Sequence, residues 1–492
     1  MERNSGILLH LSSLPGRHGI GSMGHDARLF VDFLAETRQK LWQILPFGPT
    51  GLGNSPYQCY SAFAGNSILI DLGELVNEQL LSSEDLKNTP SFSEIRVEYD
   101  RVSEYKLDRI RLAFQNFQDK FELFRNDYTD FLTAHSWWLD DYALFRAIKE
   151  SDRQKMWNEW EPELKHRNEH KLQEYRQHLN KETDFHRFLQ FLFFRQWSAL
   201  KKYVNEKNIR IIGDIPLYVS TDSSDVWANQ DIFLLDSDGK PTLVGGVPPD
   251  YFSKTGQLWG NPVFNWQRLK ERNYDWWIAR VHFNLRLFDL VRIDHFRGLE
   301  SFWAVPAAEK TAVNGNWLPA DGYELLSILK KQLGELPVIA EDLGLITPEV
   351  EKLRDNFNLP GMKILQFAFS SDETNKDLPH NTVPNSVGYT GTHDNDTSLG
   401  WFRHATKPEK QQLKQYMKFP WFRFPRRFVE MAWASTARQA IIPMQDLLQL
   451  GSHARMNIPG IATDNWEWRF RWKMLKQKHR NFLRDITKRY NR

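Results

Sequence analysis

The chain has 492 residues, enough for one large α/β barrel with insertions or for two to three average domains. Sixty-four Lys and Arg against 62 Asp and Glu leave a net charge of +2, with no basic block before the C-terminus, which argues against a nucleic-acid partner and against binding to an anionic membrane. The single cysteine, Cys59, excludes an internal disulfide and favours a reducing compartment, where a small apolar role suits it better than that of a nucleophile.

The N-terminus, "MERNSGILLH", lacks the apolar core of a signal peptide, and no stretch reaches the roughly 18 uncharged apolar residues of a membrane span. The expected location is the cytoplasm, or a plastid if a transit peptide has been removed. Short apolar runs then recur in chain order, each ending in a polar cluster, as buried parallel strands do. They are "ILLHLSS" (7–13), "LWQILPFGP" (41–49), "IRIIGDIP" (209–216), "LVRIDH" (290–295), "PVIAEDLG" (337–344), "KILQFAF" (363–369), "SVGYTGTHDND" (386–396) and "AIIPMQDLL" (440–448). Eight such runs predict an α/β fold of the TIM (β/α)8 type with large, mostly helical insertions. A doubly wound sheet is the alternative, but eight similarly built strand ends favour closure.

Helical patterns lie between several strands, as in "HDARLFVDFLAETRQ", where Phe30, Phe33 and Leu34 share a face. The whole of 1–492 reads as one catalytic barrel. Residues 73–205 form a helical insertion, whose end (185–207) is a long helix with an aromatic face. Residues 219–275 form a second, irregular insertion that carries a substrate loop. The basic tail spaces Trp472, Leu475, Phe482, Leu483 and Ile486 as one terminal helix with a solvated charged face.

Two motifs mislead. "GIGSMG" (19–24) matches a dinucleotide fingerprint, yet a loop separates it from the first strand and the next strand lacks the acid that would hold a ribose. "DSDGK" (236–240) hints at a calcium loop, but glycine stands fourth instead of sixth, so it reads as a turn. No Cys/His cluster has zinc spacing, and neither metal nor other cofactor is expected.

The carboxylates carry more. Asp214, Asp294, Glu341 with Asp342, and Asp394 end strands three, four, five and seven. In a parallel barrel those ends meet at one rim, the rim where barrel enzymes work, and acids crowded there raise each other's pKa values. Chemistry that needs carboxylates without a metal or a Ser or Cys nucleophile is glycosidic bond cleavage. Arg292, two residues before Asp294, shares its strand face and is expected to keep that aspartate ionised. His393 can donate to a sugar hydroxyl. The loop "YFSKTGQLWGNPVFNW" (251–266) offers Tyr251, Trp259 and Trp266 for stacking and Gln257, Asn261 and Asn265 for hydroxyl groups.

These residues resemble glycoside hydrolase family 77, the 4-α-glucanotransferases of the α-amylase clan. The likeness is carried by "HLSSLPGRHGIGSMG" (10–24), "NSPYQCYSAFAGN" (54–66), "GDIPLYVSTDSSDVW" (213–227), "GQLWGNP" (256–262), "RIDHFRG" (292–298), "AEDLG" (340–344), "GTHDN" (391–395) and "ARMNIPG" (454–460). The resemblance implies Asp294 as nucleophile, Glu341 as general acid/base and Asp394 as the acid that grips the distorted ring. It implies Tyr57, Asp214, Arg292 and His393 around the −1 sugar, Gln257 and Trp259 on a covering loop, and Ser55, Asn457 and Asn465 as further contacts. It departs from the family pattern at Leu52, Asn54 and Asp464, where an aromatic, an aspartate and a glycine are usual.

The implied reaction moves α-1,4-glucan segments from a malto-oligosaccharide or amylose donor to the 4-OH of glucose or another glucan by a retaining double displacement. A hydrolase with the same three acids, and a glycan-binding protein on a dead barrel, are the rival readings. Product formation from maltotriose separates the first, and the intact acids speak against the second.

Overall fold

The computed structural model describes residues 3–249, 253–417 and 423–492. Eight parallel strands close on themselves: β1 (Asn4–Leu8), β2 (Leu41–Gln43), β3 (Arg210–Ile215), β6 (Leu290–Ile293), β9 (Val338–Ala340), β10 (Gly361–Ile364), β11 (Ser386–Tyr389) and β12 (Gln439–Pro443). Each pairs with its neighbours in chain order, and β12 closes onto β1 from Asn4↔Gln439 to Leu8↔Pro443. All eight expected runs hold a barrel strand. The expected bounds run late for the first, because the chain leaves the sheet after Leu8 and residues Leu11–Ser13 coil into a 3-10 turn. The strands are apolar on both faces because side chains fill the barrel inside and helices cover it outside. The approach of β1 to β2 demands a glycine, since a Cβ on Gly6 would lie 2.2 Å from the Leu41 carbonyl oxygen.

Between β2 and β3 the chain is largely helical, with long helices at Tyr99–Asp119, Phe121–Ser151 and Asn180–Glu206. The last of these buries Phe188, Phe191, Phe194 and Trp197, the aromatic face expected of 185–207, and its ring of Phe188 lies 4.7 Å from Phe117. Among the described residues no helix is long and apolar enough to cross a membrane.

The second insertion is more regular than expected. Residues 219–275 contain β4 (Leu243–Val247), β5 (Gln257–Pro262) and a short helix, Trp266–Glu271. With β7 (Ser301–Pro306) and β8 (Asn316–Pro319) these strands build an antiparallel sheet in the order β5-β4-β7-β8. "DSDGK" is the expected turn: Asp236 accepts from the amides of Asp238 and Lys240, and Gly239 has φ +73°. The terminal helix is shorter than its pattern, spanning Gln477–Arg489, because Trp472 sits in a preceding 3-10 turn where its indole donates to Asp26. Thr487 of that helix accepts from Trp433 and Gln39, so the C-terminus seals the end of the barrel opposite the acidic rim.

Candidate active site

The barrel register brings the acids together. Asp214 pairs with Arg292 across β3 and β6, and Ile293 with Ala340 across β6 and β9. Asp294 and Glu341 each follow that last pair by one residue, on strands that lie about 4.8 Å apart. The backbone locks them further: the Glu341 amide donates to Ile293 at 3.1 Å, and the Asp294 amide to Ile215 at 2.9 Å. Asp342, at the same strand end, points elsewhere. Its buried carboxylate takes the Met362 amide and Arg354, a brace between β9 and β10.

Arg292 is the hub. Its Nε and Nη2 grip the two oxygens of Asp214 at 3.1 and 2.9 Å, while Nη2 also reaches Asp294 Oδ1 at 2.7 Å. Burying this cation is tolerable only because two carboxylates face it. The Tyr57 hydroxyl donates to Asp214 at 2.7 Å. With that proton committed, the phenol oxygen accepts from Arg292 at 3.2 Å and from His393 Nε2 at 2.9 Å. The same Nε2 lies 3.2 Å from Asp394 Oδ2, and Asn457 Nδ2 donates to Asp394 Oδ1 at 2.7 Å. One connected network therefore joins Tyr57, Asp214, Arg292, Asp294, His393, Asp394 and Asn457.

The protonation states follow from these contacts. Burial pushes Asp294 up to about 6; Arg292 opposes that rise, and Asp214 and Asp394 add to it. The expected depression of Asp294 by Arg292 is thus a restraint on a larger desolvation effect. Burial, and then the charge of Asp294, drive Glu341 well above the carboxylate range, against the pull of Arg292 and two backbone amides, those of His295 at 2.7 Å and Leu343 at 3.0 Å. Burial would raise Asp394 as well, but His393 and the Asn457 amide outweigh it and hold that group low. Near neutral pH these contacts favour ionised Asp294 and Asp394 beside a protonated Glu341.

Other expected residues are placed as follows. Trp259 packs its edge on His295 at 4.8 Å and donates to Gln257, which is exposed on β5. Ser55 accepts from the Tyr57 amide, which positions that tyrosine. Asn465 is buried, with its amide spent on Ile458 and Ile461, so it braces the 457–465 loop. Trp266, Asn261 and Asn265 are structural: Trp266 is buried against Phe264, Asn261 is buried on the Val219 carbonyl, and Asn265 caps the following helix. Tyr251 lies outside the described residues. Cys59 has its thiol pushed up to about 12 by burial, which rules it out as a thiolate nucleophile near neutral pH.

Three neighbours escaped the sequence reading. Trp466 is a buried wall 5.8 Å from the Tyr57 ring and 5.9 Å from His393, held at φ +67°. His295, at φ +50°, turns the chain so that its amide meets Glu341. Arg455 donates to the Asp394 carbonyl at 2.9 Å. The only available signal was adjacency, since all three lie within or beside the motif blocks.

Comparison with known proteins now bears on this geometry. A family model described as 4-alpha-glucanotransferase, glycoside hydrolase family 77, matches residues 9–475. The chain belongs to this family. The 4-alpha-glucanotransferase of Thermus thermophilus is 48% identical over 497 residues, covering 99% of this chain and 98% of that one. The Synechocystis enzyme of the same name is 49% identical over 501 residues, covering 100% of this chain and 98% of its own. An amylomaltase from Streptococcus agalactiae, solved in complex with acarbose, superposes with a TM-score of 0.97 at 41% identity and covers all of both chains. The family's fold persists to low identity: the Corynebacterium glutamicum amylomaltase, at 17%, still gives a TM-score of 0.77, covering 99% of this chain and 75% of that one.

Proposed function

We propose that this protein is a 4-α-glucanotransferase that works by double displacement, with Asp294 as nucleophile, Glu341 as general acid/base and Asp394 as transition-state clamp. The observation that carries the assignment is Asp294, held by Arg292 at 2.7 Å, beside Glu341 on the adjacent strand, a group whose pKa is raised by desolvation and by the Asp294 charge. In the first step an Asp294 oxygen attacks C1 of the −1 glucose while Glu341 gives its proton to the departing glycosidic oxygen. The bond to the leaving glucan breaks and a β-glucosyl ester forms. In the second, Glu341 takes the proton of an acceptor 4-OH as that oxygen attacks C1, which releases Asp294 and restores the α-linkage. A retaining mechanism requires the two carboxyls roughly 5–5.5 Å apart, a spacing within reach of side chains on neighbouring strands.

In this reading Asp394, with Asn457 bonded to it, holds ring hydroxyls, and His393 and Tyr57 line the same sugar. Donors are malto-oligosaccharides, amylose or other α-1,4-glucans, with glucose or a glucan as acceptor. Transfer is favoured over hydrolysis by the near full-length likeness to chains named for transfer. The cytoplasm suits a chain with one unpaired thiol; a relative from Solanum tuberosum, 44% identical, is named as chloroplastic/amyloplastic, so a plastid is the alternative site. Incubation with maltotriose tests the reading. A transferase yields glucose with longer oligomers, and Asp294→Asn abolishes both with the fold intact. Only shorter products would establish hydrolysis, and an active D294N would overturn the nucleophile.

A further inference from the structure

Trp317 stands out on the edge strand β8. It pairs directly with Trp303 of β7, the two rings 5.2 Å apart. The Arg297 guanidinium lies 3.7 Å from its centroid and covers one face. Arg297 is itself buried and pinned, donating to the Leu345 carbonyl and, at 3.3 Å, to Ser301. The indole is thus held in place, yet Trp317 remains 38% exposed, and Leu345, whose carbonyl pins Arg297, is 54% exposed. Leaving apolar surface in water is unfavourable, and an edge strand is better guarded by a charged or polar side chain. A ring fixed from behind and open in front has already lost its rotamer freedom, which is what inexpensive stacking of a ligand requires.

Its position indicates the ligand. Arg297 lies three residues beyond Asp294, and its partner Leu345 lies four residues beyond Glu341, the acid that must face the leaving oxygen. At the far edge of the same sheet, Trp259 packs on His295, whose amide holds Glu341. We propose that Trp317 is an acceptor-side platform, stacking a glucose of the leaving or incoming α-1,4-glucan beyond the position next to the cleaved bond. This rests on the transferase reading above. The occupant is an oligosaccharide of at least two glucoses, because free glucose fills only the adjoining position.

The test compares acceptors in the full-length enzyme with one donor, measuring kcat/KM for maltopentaose relative to glucose. Trp317→Leu should lower that ratio about tenfold, an interaction of ~1.4 kcal/mol, through KM more than kcat. Trp317→Phe, which keeps a ring, should restore most of it. An unchanged ratio in a folded W317L overturns the platform and leaves the transferase assignment standing. Failure of the wild-type enzyme to disproportionate maltotriose would instead remove the underlying reading. If W317L turns a dimer into a monomer on sedimentation with the ratio unmoved, the ring is a contact between copies and the platform is likewise overturned.

Discussion

Replacing Asp214 by asparagine removes one charge while keeping the shape of the most buried acid in the network. Its side chain is wholly inaccessible and its partner Arg292 is 4% exposed. Removing one member of such a pair commonly costs 3–5 kcal/mol; here about 3 kcal/mol is expected, because Asp294 still neutralises the guanidinium. The effect on Asp294 has a definite sign. Both carboxylates lie within 2.9 Å of the same Arg292 nitrogen, so their oxygens are no more than about 6 Å apart. Repulsion at that distance amounts to roughly 0.7–2.8 kcal/mol for an effective dielectric between ~80 and ~20. Loss of Asp214 removes this repulsion and leaves Arg292 to Asp294 alone, and both changes favour the ionised nucleophile. The acidic limb of kcat/KM for maltotriose should therefore move from near pH 6 toward about 5, while the melting temperature falls. A limb that stays in place, or moves upward, in a folded D214N protein would refute the argument that Asp214 and Asp294 are coupled through Arg292.

Three further outcomes follow from the same geometry. In the wild type, activity should rise through pH 6 as Asp294 ionises and fall only at higher pH, where Glu341 loses its proton; an acidic limb at about 4, the value of an unperturbed carboxyl, would contradict the burial of the pair. Glu341→Gln should abolish transfer and change the pH dependence of stability. The Glu341 pKa is raised on folding, so its contribution is intact below the unfolded value and is lost as pH rises through the folded one; the melting temperature of E341Q relative to wild type should thus increase with pH, and a constant difference would count against the shift. Gly6→Ala should destabilise by about 1–3 kcal/mol or more, because its methyl group meets the Leu41 carbonyl at 2.2 Å; thermal melting of the purified variant decides this, and an unchanged melt would mean that β1 and β2 can separate freely.

What could be read from the chain, and what could not, divides along physical lines. The barrel strands were visible because a strand buried on both faces must be apolar throughout, as in "IRIIGDIP" and "AIIPMQDLL". The antiparallel sheet was not: β4 reads "LVGGV" and β5 "QLWGNP", where glycines and a proline mimic a loop, and pairing with β7 and β8 across the chain supplies what local propensity lacks. Among the site residues, acids at strand ends were legible, since their cost without a partner is high. Trp266 and Asn265 were misread because an aromatic or an amide in a Gly/Pro-broken segment looks alike whether it binds a ligand or caps a helix. His295 was missed because it acts through its backbone amide at positive φ, and Trp466 because a positive-φ backbone carries its ring to Tyr57 and His393, neither of which side-chain chemistry announces. Asp464 shows the same logic from the other side: at φ +59° it occupies a conformation that glycine adopts without strain, in keeping with the glycine that the family resemblance implies there.

The pairing of Asp294 with Glu341 is a departure from what stability alone would select. Two half-buried carboxyls on adjacent strands repel each other, and apolar residues of the same size would fill the rim at lower free energy. The network limits that cost in a directional way. Arg292 is in direct contact with Asp214 and Asp294, and so favours the ionised form of Asp294, whereas Glu341 is held by neutral backbone amides and feels Arg292 from farther away. Arg292 therefore separates the two carboxyls into one that ionises first and one that keeps its proton, which is the asymmetry a double displacement needs. A symmetric arrangement, with Arg292 equidistant from both acids, would bury them at similar cost without assigning either a role.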